Sequence, residues 1–338
     1  MKKILVTGGT GYIGSHTVVE LQSAGYEVVI VDDLSNSSEK SLDGIEKITG
    51  KRPEFVKIDL KDAVKTDEFF ASNKDIDAVI HFAASKAVGE SVYMPLEYYF
   101  NNLNSLMNVL TSMRKHGVEN IVFSSSCTVY GQADVLPVTE QTPRKEAESP
   151  YGNTKSMCED ILRDSAAAYE HLNTIALRYF NPIGAHPSAL IGELPNGIPN
   201  NLIPFVTQTA AGIRECLSVF GDDYNTPDGS CIRDYIDVVD LAKAHVVAIE
   251  RLLEKKNKST YEFFNIGTGI GVSVLEIITG FEKATGKKLN YKISPRRVGD
   301  IEKVWADTSF ANNELGWKAS TPLEETLANC WRFQENLK

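Results

Sequence analysis

The chain lacks long hydrophobic runs: nowhere in its 338 residues does a stretch approach ~18 consecutive apolar residues, so no membrane-spanning helix is expected. After Met1-Lys2-Lys3 only Ile4-Leu5-Val6 precedes Thr7-Gly8, too little for a signal peptide, and a cytoplasmic protein is predicted. Cysteine is sparse. The five, Cys127, Cys158, Cys216, Cys231 and Cys330, form no C-x-x-C pair and the six histidines no H-x-x-x-H pair, which points to reduced, mostly buried thiols and to no metal site. Positive charge is short as well. Lys and Arg number 35 against 45 Asp and Glu, a formal net charge of −10, which argues against nucleic acid or an anionic membrane as partner and requires a local cluster of Arg for any anionic substrate. There is no internal repeat and no low-complexity tail. What is there, 42% hydrophobic and 24% charged residues, is ordinary for a globular protein and long enough for one large domain and a smaller one.

The most telling stretch is Tyr151-Gly-Asn-Thr-Lys155. A spacing of four on a helix places phenol and ammonium on one face, one turn apart, able to share a pocket. A free tyrosine titrates near ~10 and is about 0.1% ionised at pH 7, so a tyrosine base needs a shift of roughly three units, about 4 kcal/mol. A unit charge ~4 Å away at an effective dielectric of ~20 supplies that much, so Lys155 alone can be enough, and any further positive charge in the pocket pushes the same way. Such pairs also arise by chance, and this one gains its weight from its company.

That company begins with Ile4-Leu5-Val6, a short β-rich run, followed by Thr7-Gly8-Gly9-Thr10-Gly11-Tyr12-Ile13-Gly14 and a helical pattern through Val18 and Leu21. Gly8 and Gly11 permit a tight turn whose N–H groups approach a pyrophosphate, and Gly14 lets helix and strand pack closely. A second strand, Glu27 to Val31, ends at Asp32, eighteen residues past Gly14, where a carboxylate accepts the adenosine ribose hydroxyls. The loop Asp33-Leu34-Ser35-Asn36-Ser37 continues that cofactor site, and no Arg or Lys appears through Ser38 to hold a 2′-phosphate, which selects NAD over NADP.

Further strands at Glu54–Asp59, Ala78–Ala83, Asn120–Ser126 and Thr174–Tyr179 alternate with helical intervals, predicting an α/β fold with a doubly wound parallel Rossmann sheet. Its ligands should lie at the strand ends: Asp32-Asp33, Asp59-Leu60, Phe82-Ala83-Ala84, Ser124-Ser125-Ser126 and Phe180-Asn181. Residues 1–180 are expected to form the NAD-binding domain, with 235–267 returning to it through a strand at Glu262–Gly267. Segments 181–234 and 268–338 should form a smaller α/β substrate-binding domain, in which the Pro-, Gly- and Asn-rich stretch Pro182–Gly229 reads as substrate loops. Leu96–His116 and Tyr151–Tyr169 read as long helices. The stripe Leu103, Leu106, Met107 and Leu110 suits packing or a helix-bundle homodimer.

With the glycine turn, the serine strand and the Tyr151-x-x-x-Lys155 pair together, the chain resembles the extended short-chain dehydrogenase/reductase superfamily over its whole length, and within it the UDP-glucose 4-epimerase family. The likeness is carried by Val6–His16, Lys86-Ala87-Val88-Gly89-Glu90-Ser91, Ser124-Ser125-Ser126-Cys127-Thr128-Val129-Tyr130-Gly131, Arg178-Tyr179-Phe180-Asn181-Pro182 and Arg233-Asp234-Tyr235-Ile236. The resemblance implies reversible NAD-dependent interconversion of UDP-galactose and UDP-glucose through a 4-keto sugar. Tyr151 would take the proton from the sugar 4-hydroxyl, Lys155 would hold the nicotinamide ribose, and Ser126 would bond the same hydroxyl and help relay the proton. By the same resemblance Tyr12, Ile13, Asp32, Asp59, Leu60, Phe82, Lys86, Asn101 and Phe180 would contact NAD. Arg233 and Arg297 would meet the diphosphate, with Asn181, Asn201, Leu202, Ser218, Phe220, Tyr235 and Asp300 at other substrate positions.

One family position in the sugar pocket governs whether an N-acetyl group at C2 fits, and alignment through Arg296-Arg297-Val298-Gly299-Asp300 puts Val304 there, where relatives restricted to UDP-glucose and UDP-galactose carry a bulky aromatic. A valine leaves room for UDP-GalNAc and UDP-GlcNAc. A nucleotide-sugar 4,6-dehydratase would need an acidic pair directly after the serine strand, where Cys127-Thr128 stands. A non-catalytic NAD-binding regulator would be expected to have lost the tyrosine or the lysine.

Overall fold

The first strand faces two cores at once. Ile4 and Val6 of β1 (Lys3–Thr7) enter one apolar layer and Leu5 the other, and the same period of two separates Val28 and Ile30 from Val29 and Val31 in β2 (Glu27–Asp32). Strands covered on both faces have no polar side, hence their unbroken apolar sequences. The computed structural model describes residues 1–199, 201–297 and 300–337. After β3 (Glu54–Lys57), β4 (Ile76–His81), β5 (Asn120–Ser124) and β6 (Asn173–Tyr179) the chain forms β7 (Asn181–Ile183), β8 (Leu217–Phe220) and β9 (Ile232–Asp237) elsewhere, then rejoins the sheet with β10 (Tyr261–Ile266). The result is a parallel seven-stranded sheet in the order β10-β6-β5-β4-β1-β2-β3. Strand order reverses between β1 and β4, which opens the crevice in which such sheets bind ligands.

Helices α1 (Tyr12–Ser23) and α2 (Lys40–Thr49) cover one face; α3 (Ala63–Ser72), α4 (Val88–Tyr93), α5 (Pro95–His116) and α6 (Pro150–Ala168) lie on the opposite side or at its rim. Beyond them come α7 (Leu202–Ala210), α8 (Val238–Leu253), α9 (Val274–Thr285), α10 (Ser309–Glu314) and α11 (Leu323–Asn336). The α8 helix joins α1 in the first layer, while α7, α9 and α11 enclose a separate core around Val206, Ile277, Phe281 and Leu327. Beside that core β9 pairs with β7, with β11 (Gly271–Ser273) and with β13 (Lys303–Val304), and β8 pairs with β12 (Tyr291–Ser294).

Two expectations change. The stretch 182–229 is not all loop: Ile203, Val206, Leu217 and Val219 bury into the separate core and draw α7 and β8 into regular structure. The serine strand stops at Ser124, because the Ser126 hydroxyl turns back to accept the Thr128 N–H and caps a short 3₁₀ helix, Cys127–Tyr130. Among the described residues no helix is long and apolar enough to cross a membrane, and no group of His, Cys, Asp and Glu is placed to hold a metal ion.

Candidate active site

The glycine turn is fixed by close approach. Gly8 adopts φ +71°, and a Cβ on it would lie 2.8 Å from the Ala83 backbone nitrogen; one on Gly14 would lie 2.2 Å from the Gly8 carbonyl oxygen. Such contacts leave room only for glycine and bring the start of α1 against the strand ends, its free N–H groups directed at the crevice. There a cavity of about 430 Å³ is lined by Gly8, Gly11, Tyr12, Ile13, Gly14, Asp32, Asp33, Ser35, Asn36 and Ser37 on the glycine side, by Asp59, Leu60, Phe82, Ala83, Ala84, Lys86 and Asn101 further along, and by Tyr151 and Lys155. Asp32 is held in place by the N–H of Thr10 at 3.2 Å, the N–H of Leu34 at 2.9 Å and the Ser37 hydroxyl at 2.9 Å. Of the predicted dinucleotide contacts, Leu34, Ser126 and Phe180 do not line this cavity. Leu34 takes a left-handed φ of +63° that its bond to Asp32 supports, while Phe180 packs with Val129, Tyr130 and Val304 in a small apolar cluster.

At the head of α6 the Ser149 hydroxyl accepts the Gly152 N–H at 3.2 Å and Pro150 occupies the first turn, so Tyr151 and Lys155 enter the cavity one turn apart. The Lys155 Nζ lies 5.8 Å from the centre of the Tyr151 ring and 4.8 Å from that of Phe123, and it donates to the Ser124 carbonyl at 2.7 Å. Burial opposes the activation expected of Lys155. Burial pushes the Tyr151 phenol well above its ordinary range, the neighbouring Tyr179 adds to this, and only the Ser126 hydroxyl draws it down. The ammonium is itself costly to bury: desolvation lowers Lys155 to about 8 against the opposing pull of Cys158 and Glu159.

Outside the lining of that cavity, Arg233 and Arg297 converge on Asp300, at 3.5 Å and 2.8 Å, with the Arg297 guanidinium 5.8 Å from the centre of the exposed Phe220 ring. Of the stretch 296–300, residues 298 and 299 lie outside the described residues. Arg233 and Tyr235 lie on β9, whose partners there are Val304 and Asn181 respectively. Arg233 also reaches towards the serine turn: burial pushes the Cys127 thiol up to about 12, and Arg233 is the main group opposing this. Ser218 lies on β8 with Phe220, and Leu202 opens α7. Asn201 stands apart from the arginines. Its amide donates to Glu193 at 2.5 Å, on the Lys86 side of the cleft.

This arrangement has close relatives. The sequence model of the GDP-mannose 4,6 dehydratase family matches residues 5–330. A UDP-glucose 4-epimerase of Bacillus subtilis is 54% identical over 333 residues, 98% of this chain and 97% of its own, and one of Mus musculus is 49% identical over 341 residues, 99% and 97%. The chain belongs to the UDP-glucose 4-epimerase family. Among solved structures, a UDP-glucose 4-epimerase from Stenotrophomonas maltophila with bound NAD and formylated UDP-arabinopyranose superposes with a TM-score of 0.96 at 47% identity, covering 100% of this chain and 99% of the other. One from Bifidobacterium longum with NAD+ and UDP gives 0.95 at 48%, covering 99% and 98%. A UDP-Glc/GlcNAc 4-epimerase from Campylobacter jejuni gives 0.85 at 35%, covering 99% and 100%.

Within this epimerase family member, sequence reasoning missed two groups. Ser85, Glu90, Tyr98 and Asn196 also line the cavity, with Tyr98 donating to Glu90 at 2.6 Å across the break between α4 and α5. Pro95, which can only open a helix, was the one local sign of that break. The second group lies under α6. Glu159 accepts from Arg178 at 2.8 and 2.5 Å and from Ser125 at 2.6 Å, and Arg178 donates to the Tyr130 hydroxyl at 2.9 Å. This clamp joins the helix that carries Tyr151 and Lys155 to the serine turn and to β6. Its Arg178 belonged to a motif string, but nothing local marked Glu159 as its partner nineteen residues away.

Proposed function

We infer that the chain is an NAD-dependent isomerase that interconverts UDP-galactose and UDP-glucose through a 4-keto sugar. The observation that carries this reading is a single cavity lined by the glycine turn and Asp32 and also by Tyr151 and Lys155. The residues present fit NAD: the Gly8 and Gly14 positions tolerate no side chain against the approaching backbone, and Asp32 offers a fixed carboxylate for ribose hydroxyls. Bound there, NAD would supply a reversible hydride acceptor for C4 of the sugar and a positive charge.

In this reading Tyr151 takes the proton of the 4-hydroxyl and gives it back, with Ser126 bonded to the same hydroxyl. Lys155, anchored on the Ser124 carbonyl, offers its remaining protons to the nicotinamide ribose. Arg233 and Arg297 exchange Asp300 for the diphosphate, giving bidentate charge-assisted bonds in a strongly acidic chain. Phe220, Ser218, Tyr235, Asn181, Asn201 and Leu202 complete the nucleotide and sugar side. Binding energy is thus concentrated on UDP, and the 4-keto sugar can turn over between the two hydride transfers. Cys127-Thr128 follows Ser126 where a dehydratase would carry an acidic pair, so elimination lacks the carboxylates that would carry its protons.

The purified protein incubated with UDP-galactose and no added cofactor should form UDP-glucose. Absence of product with NAD demonstrably bound would return the chain to a binding role. Val304 extends the reading to N-acetylated hexoses. It is 5% exposed and packs with Phe180 and Ala306, so it presents a small apolar wall. UDP-GalNAc should be turned over, and Val304→Tyr should abolish that activity while sparing UDP-galactose; equal turnover of both by the variant would refute the assignment.

The protein works in the cytoplasm as a homodimer. Leu96, Phe100 and Met107 form an exposed apolar stripe along α5, next to Met157 of α6, and a second copy would cover it by bundling the same two helices.

A further inference from the structure

The segment from Ala185 to Asn196 has no part in the chemistry above, yet it is firmly seated. It folds back on itself through an Ala185–Gly192 bridge. Gly192 lies against Phe333 of α11, so close that a Cβ would stand 2.5 Å from the ring. Ile191 is buried in the layer shared by α1 and α2, pressed on Gly44 of α2: a Cβ on Gly44 would meet its Cγ2 at 2.5 Å and the Leu190 carbonyl oxygen at 2.9 Å. Asn196 reaches the wall of the cofactor cavity. The Tyr12 hydroxyl, from the glycine turn, donates to the Gly184 carbonyl at 2.8 Å where the segment begins.

Glu193 sits at the centre of this strap with its side chain 11% exposed. It accepts the Asn201 amide at 2.5 Å and faces the Lys86 ammonium at 3.9 Å. Lys86 belongs to the dinucleotide set and Asn201 to the UDP set, so one carboxylate bridges a group from each. Burial pushes the Glu193 carboxyl up, while Lys86 and Asn201 pull the other way.

We propose that Glu193 is a positioning residue that latches the 185–196 strap across the dinucleotide cleft, retaining NAD and holding Lys86 and Asn201 in place. The proposal rests on the reading of the cleft as an NAD site. A reaction that returns its hydride gains from keeping the cofactor through the keto stage, since loss at that point would strand both half-products. Departure of NAD past the strap requires the charge-assisted bond, the ion pair and the burial of Ile191 to be given up together.

The test measures NAD dissociation from the purified holoenzyme, by dilution and assay of protein-bound NAD, alongside activity with and without added NAD. Glu193→Ala should release NAD about tenfold faster, and its activity should decay on dilution and recover when NAD is restored. Glu193→Gln keeps an acceptor for Asn201 and should give a smaller acceleration. Gly44→Ala is an independent variant: alanine suits a helix, but its Cβ must displace Ile191 and Leu190, so it should speed release in the same way. Release at the wild-type rate by Glu193→Ala, or by Gly44→Ala should the first variant not fold, overturns the latch. Wild-type protein that binds no NAD at all overturns the functional reading and the latch with it.

Discussion

Tyr151→Phe should lower kcat for UDP-galactose by about 10²- to 10⁴-fold, the usual worth of a positioned proton-transfer group, while bound NAD is retained. The ring is buried at the mouth of α6, and phenylalanine fills the same volume, so the fold should not register the change. What disappears is the hydroxyl proposed to take and return the proton of C4–OH. A variant of near wild-type turnover would remove Tyr151 from the chemistry. The pH profile should carry a second mark. Lys155 is lowered by burial to about 8, so its ammonium is present below that value and lost above it, and the wild-type rate should fall on the alkaline side near pH 8. Lysine replaced by methionine should erase that limb along with most of the activity.

Glu159→Ala should destabilise the protein by about 3–5 kcal/mol, because it strands the Arg178 guanidinium in a dry interior. Both side chains are nearly inaccessible, and Glu159 is the carboxylate that keeps Arg178 charged there. The loss is read as a lowered midpoint of thermal unfolding. Replacing both partners, Glu159→Leu with Arg178→Met, should recover much of it, since an apolar pair of similar size leaves no uncompensated charge. If the single variant melts like the parent, the clamp is not what fixes α6. Activity should behave differently from stability. The double variant lacks the Ser125 bond that ties the serine turn to the helix, so it should remain slower than the parent even when fully folded.

These contrasts show what a linear reading can reach. The sheet was legible because its strands bury both faces and so advertise themselves as apolar runs, and the glycine turn because Gly8 and Gly14 each answer a backbone contact under 3 Å. The Tyr151–Lys155 spacing was legible because a helix converts four residues into one face. The state of that pair was not. It depends on burial, on Tyr179 beside the phenol, and on Phe123 and the Ser124 carbonyl beside the ammonium, all brought in from other strands. Asn201 and Glu193 likewise meet through a return of the chain that no local pattern encodes. The regular structure of 202–220 escaped notice because Pro204 and irregular apolar spacing hide a short helix whose burial is supplied by α11.

On β9 and β13, Arg233 and Val304 are ladder partners. Their backbones are therefore held about 4.8 Å apart by main-chain bonds that no side chain can alter. With Arg233 and Val304 in their proposed roles, this divides the labour between recognising the carrier and tolerating the cargo. On that proposal a lineage could widen or narrow its menu of hexoses by a single codon at position 304, inheriting the nucleotide handle intact.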